Sequence, residues 1–75
     1  MSEHPTLILA RTWDEADRLQ RMFDVKKVEV RVSGNDQGVI GRRFSSVLVL
    51  HPGHDLWVDK VVRPRVIPGG DIVYL

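Results

Sequence analysis

Three rhythms of apolar and polar residues succeed one another in the first half of this chain, and each predicts an element. Thr6 to Ala10 (TLILA) is an unbroken apolar run bounded by Pro5 and Arg11, the pattern of a short strand covered on both faces. Ala16, Leu19 and Phe23 then recur at helical spacing with Met22 beside them, which predicts a helix over residues 13–24. Its start is marked by Thr12-Trp13-Asp14-Glu15, a capping box in which the Thr12 hydroxyl accepts from the Glu15 N–H and the Glu15 carboxylate reaches back to the Thr12 N–H. Asp14, Glu15 and Asp17 lie early and Arg18 and Arg21 later, as the helix dipole favours. From Lys27 to Val32 the alternation is strict. Val28, Val30 and Val32 face one way and Lys27, Glu29 and Arg31 the other, so a half-exposed edge strand blunted by its charges is expected.

Ser33 to Arg43 (SGNDQGVIGRR) carries three glycines and an Asn-Asp pair and reads as a connecting loop, with room for a short extended piece at Val39-Ile40. Ser46 to Leu50 is the most apolar strand, His51 to His54 the turn after it, and Asp55 the cap of a second helix running to about Arg63, where Pro64 ends it. Val58, Val61 and Val62 are poor helix formers, so the same run is also compatible with extended chain. Pro68-Gly69-Gly70 forms a turn before a last strand, Asp71 to Leu75.

The order β-α-β, loop, β-α-β predicts one α/β domain spanning residues 1–75, built on a small, mostly parallel four-stranded sheet. The third strand is the most continuously apolar and the second the most alternating, which places the first and third centrally and gives the order 2-1-3-4. Right-handed crossovers then put one helix on each face. In such sheets ligands bind at the carboxyl ends of the central strands, where the winding reverses. That crevice would be lined by Arg11 and Thr12 on one side and His51 and His54 on the other.

Composition narrows the field further. At 75 residues a domain hides only about 60% of its unfolded surface. With no cysteine, packing alone must hold it together, which suits a reducing compartment. Eleven basic against ten acidic residues leave a net charge of +1, so no global field draws the chain to nucleic acid or to a membrane. The first residues do not read as a secretory signal, and no run approaches the roughly 20 apolar residues of a membrane span. A cytoplasmic protein without membrane contact is expected.

The candidate chemistry is sparse. His51-x-x-His54 with Asp55 nearby supplies zinc-ligand types, yet tetrahedral zinc takes three or four ligands and a Pro-Gly turn does not hold two rings together. No Ser or Lys nucleophile pairs with either histidine, so a strand end and a solvated turn is the favoured reading, with no metal and no cofactor. Arg42, Arg43, Arg63 and Arg65 could contact phosphates, although Asp36, Asp55, Asp59 and Asp71 share their half of the chain and no aromatic residues interleave for base stacking. Trp13 and Trp57 each begin a helix, where packing on the adjoining strand end competes with a binding role.

The segment TLILARTWDEADRLQRMF resembles the strand and helix that follow the nucleotide loop in helicase-like and phage terminase-like P-loop ATPase cores. GRRFSSVLVL is similar to their approach to the Walker B strand, and RPRVIPGGDIVYL to the next helix end and strand. The resemblance implies a Rossmann-like architecture and a small bacteriophage-type accessory protein. It does not extend to ATP, because no G-x-x-x-x-G-K-[ST] is present and His51-Pro52 stands where the family places an acidic pair.

The leading expectation is a non-enzymatic protein–protein interaction module. Two helices cannot clothe both faces of four strands, and bare apolar surface or an unguarded last strand invites a partner or a second copy, giving a homo-oligomer. A nucleic-acid-binding accessory protein using the four arginines, and a small enzyme or metal site at His51/His54, are the alternatives.

Overall fold

A computed structural model describes residues 4–24, 26–34, 37, 39–50 and 55–74. Four strands, β1 (Thr6–Ala10), β2 (Val28–Val32), β3 (Ser46–Val49) and β4 (Ile72–Tyr74), form one sheet in the order β2-β1-β3-β4. Every pairing is parallel, with Ile8 opposite Val30 on one side and Leu48 on the other. The architecture and strand order expected from the sequence are thus those observed. The last strand is shorter than expected, and Leu75 lies outside the described residues.

Helix α1 (Trp13–Met22) begins where the capping pattern places it, with Thr12 Oγ1 accepting from the Glu15 N–H at 3.1 Å. The reciprocal bond falls one residue earlier than expected: Glu15 Oε1 accepts from the backbone N–H of Arg11 at 3.0 Å, and Oε2 pairs with the Arg11 guanidinium at 3.3 Å. Those bonds hold the Glu15 carboxyl below its usual range, the Arg11 backbone N–H first among the causes. The helix stops at Met22, which is largely exposed, and Phe23 is already extended and 41% exposed, so neither completes the predicted apolar stripe.

The second helical segment coils rather than extends, and its form changes along its length. An α-helical turn, α2 (Asp55–Trp57), passes into a π turn (Val58–Val62) and then a 3-10 turn (Arg63–Arg65). Pro64 does not end the helix as expected but sits inside that last turn. Proline has no N–H, and its ring would collide with the carbonyl four residues back in an α-helix. Widening the preceding turn, with the Arg63 N–H bonded to the Val58 carbonyl, is consistent with relief of that collision.

The two faces of the sheet differ in depth. Leu7, Leu9, Val47 and Val49 pack with Val39, Phe44, Val58 and Val62 in a core whose members are all but inaccessible. Val39 lies in a turn of the connecting loop, not in an extended piece, and the loop itself roofs this face. The opposite core is thinner, made of Ile8, Ala10, Ala16 and Val30 with Leu19, Val28, Val32, Leu48 and Leu50 around them. Helix α1 packs there on β2 and β1. Beside β3 and β4 no helix packs on the same face among the described residues, and Val73 is 44% exposed.

Candidate functional site

Three places on the molecule combine geometry with chemistry: the carboxyl-end crevice, the two sheet edges, and a basic pocket at the opposite end of the strands. In the crevice, Arg11 and Thr12 are occupied in starting α1. His51, Pro52, Gly53 and His54 lie outside the described residues, as does the side chain of Asp55. Among the described residues no group of His, Asp and Glu side chains is arranged to hold a metal ion. Trp13 is 68% exposed and does not pack into the core; it forms the rim of a groove with Ala16, Gln20, Val30 and Arg31. Trp57 is half-buried against the deeper core, as a packing role requires.

The β2 edge is closed by a device that strand alternation does not reveal. Backbone groups of Val28, Val30 and Val32 point away from β1, because the Thr6 N–H bonds to the Lys27 carbonyl and the Ser33 N–H to the Ala10 carbonyl. Gln20, on α1, lays its side-chain amide along this row: its Nε2 donates to the Val28 carbonyl at 3.0 Å and its Oε1 accepts from the Val30 N–H at 2.8 Å. The Arg31 guanidinium donates to the Val30 carbonyl at 2.8 Å, and the Val28 N–H turns back to the Asp24 carbonyl at 2.9 Å. The primary amide of Gln20 thus substitutes for a neighbouring strand.

Glu29 is a correction to the expected pattern. It does not stand in water with Lys27 and Arg31 but is buried on the loop-covered face. Arg42 is delivered to it by the loop and binds it through two nitrogens, Nε to Oε2 at 3.0 Å and Nη2 to Oε1, while Arg31 Nη2 lies 3.9 Å from Oε1. Of the three charges expected to blunt this edge, Arg31 does so through the Val30 carbonyl, whereas Glu29 is turned inward to Arg42.

At β4 no such closure exists among the described residues. The Val47 N–H bonds to the Asp71 carbonyl, which fixes the phase: Asp71 and Val73 turn their backbone groups to β3, and Ile72 and Tyr74 turn theirs outward. Among the described residues nothing meets those outward groups, and the strand itself (IVY) carries no charge.

The basic pocket is formed by Gly41, Arg42, Arg43, Pro64 and Arg65, so three of the four arginines singled out in the sequence are gathered. Arg63 is not among them; it is held by Asp59 one turn back at 2.9 and 3.0 Å. The pocket lies beside the bridge between Phe44 and Val66, where the Phe44 N–H bonds to the Arg65 carbonyl and the Ile67 N–H to the Phe44 carbonyl.

No helix among the described residues is long and apolar enough to cross a membrane. Comparison of the chain with protein-family models, with curated proteins and with solved structures finds no match.

Proposed function

We propose that this protein is a non-enzymatic interaction module that pairs with a second copy of itself through β4. The observation that carries the reading is the asymmetry of the edges: side chains cover Val28 and Val30 of β2, while β4 presents outward backbone groups beside exposed apolar surface at Val73 and Tyr74. A two-fold axis at Val73 would set Ile72 opposite Tyr74 of the second copy, so that each pair exchanges two N–H···O bonds. No charge in β4 opposes this contact. The interface uses one patch on both copies and closes at a dimer, because the outward groups of Val28 and Val30 on the far edge are already occupied.

Sedimentation velocity over a range of micromolar concentrations tests the reading. A dimer is expected for the native chain and a folded monomer for Tyr74→Pro, which removes an outward N–H without touching the β3 ladder. A native chain that stays monomeric at every concentration refutes self-association.

A further inference from the structure

We infer that the pocket of Arg42, Arg43 and Arg65 is an anion site that binds a phosphate group. This goes beyond the pairing of β4, which lies elsewhere on the molecule and uses none of these residues.

The argument begins with charge. Arg42, Arg43 and Arg65 line this corner, and Glu29 is the one carboxylate bonded to any of them among the described residues. That carboxylate is buried behind the pocket and already engages Arg42 and Arg31. Among the described residues no acidic side chain lines the pocket itself, whose volume is about 290 Å³. Guanidinium groups crowded at one opening repel one another unless an anion lies between them.

The second part of the argument is preorganisation. Glu29 fixes the Arg42 side chain, and the Val61 carbonyl accepts from Arg65 Nη1 at 2.6 Å. The Phe44–Arg65 backbone bond ties the two arginine-bearing segments together. Gly41, at φ +83°, turns the chain into the pocket in a conformation that a side chain would strain, and Pro64 stiffens the opposite wall. Arg43 has no partner among the described residues and is held between anchored neighbours. Guanidinium groups suit the paired oxygens of phosphate, and with Arg42 and Arg65 already anchored, Arg43 is the side chain left to order on binding.

The chemistry is shared by free phosphate, a phosphomonoester and the phosphodiester backbone of nucleic acid, and the experiment separates them. Backbone-amide NMR of the full chain is followed during titration with inorganic phosphate at constant ionic strength. Saturable shifts confined to residues 41–44 and 65 are expected. Arg43→Gln should weaken binding about tenfold while leaving the fold intact, since Arg43 supports nothing structural. Arg18→Gln, an equal change of charge on α1, should not weaken it.

Titration with a short single-stranded oligonucleotide reads the source. Tighter binding at the same amides, steeply weakened by salt, assigns the pocket to a nucleic-acid backbone. Phosphate binding without an oligonucleotide response assigns it to free or monoester phosphate. The inference is overturned if no saturable shift occurs at these amides with either probe, or if Arg18→Gln weakens binding as much as Arg43→Gln.

Discussion

Replacing Arg42 by Ala should destabilise the domain far more than an exposed arginine ordinarily would. The Glu29 side chain is 5% exposed and that of Arg42 48% exposed, so truncating Arg42 strands a carboxylate that cannot recover its hydration. Breaking a fully buried pair from one side costs about 3–5 kcal/mol. Here half of the guanidinium is in water and Arg31 remains within 3.9 Å of Oε1, which reduces the expectation to about 2–3 kcal/mol. A chain of this size has a total stability of roughly 4–11 kcal/mol, so the loss is a large share of it. It should lower the melting temperature by roughly 10–20 °C. Urea unfolding of the native chain, Arg42→Ala, Glu29→Leu and the double variant checks it. The penalty of Arg42→Ala should largely vanish in the Glu29→Leu background, because no buried charge is then left behind. A loss below 1 kcal/mol, or an equal loss in both backgrounds, would refute the assignment of the buried pair.

Gln20→Ala should cost about 1–2 kcal/mol and, by uncovering the Val28 carbonyl and the Val30 N–H, produce species larger than a dimer in sedimentation; an unchanged size distribution would count against the sealed edge. Gly70→Ala should destabilise by about 1–3 kcal/mol in urea, because a Cβ there would collide with the Ser45 carbonyl and lie 2.7 Å from Val66 Cγ1. Glu15→Gln should be less stable than the native chain at neutral pH, and the difference should close on acidification. The folded-state pKa of Glu15 is lowered, so its contribution is present above the ordinary carboxylate range and is lost as pH falls through the depressed value. A difference in urea midpoint that persists at about pH 2 would contradict this.

The sheet was legible because its causes are local. An apolar run at Thr6–Ala10, a capping pattern at Thr12 and alternation at Val28–Val32 each determine an element without reference to the rest, and the crossover rule then leaves few orders for four strands. What was not legible depends on partners distant in sequence. Glu29 reads as solvated from its own strand, and only the path of the loop, which brings Arg42 to it, makes it interior. Gln20 is one polar residue on the flank of an amphipathic helix, and no pattern tells an amide in water from one bonded to a strand edge ten residues on. The convergence of Arg42, Arg43 and Arg65 was half visible: their count could be read, but the bridge between Phe44 and Val66 that unites their segments, and the Asp59 contact that withdraws Arg63, could not.

Because Gln20 rides on α1, the lock on β2 lasts only as long as that helix stays seated. Its seat is shallow, since Ala16 is the one buried residue of the helix. Heat or denaturant that lifts α1 while the deeper core persists would therefore bare a second sticky margin, and molecules that formerly stopped at two could add end to end into a fibre.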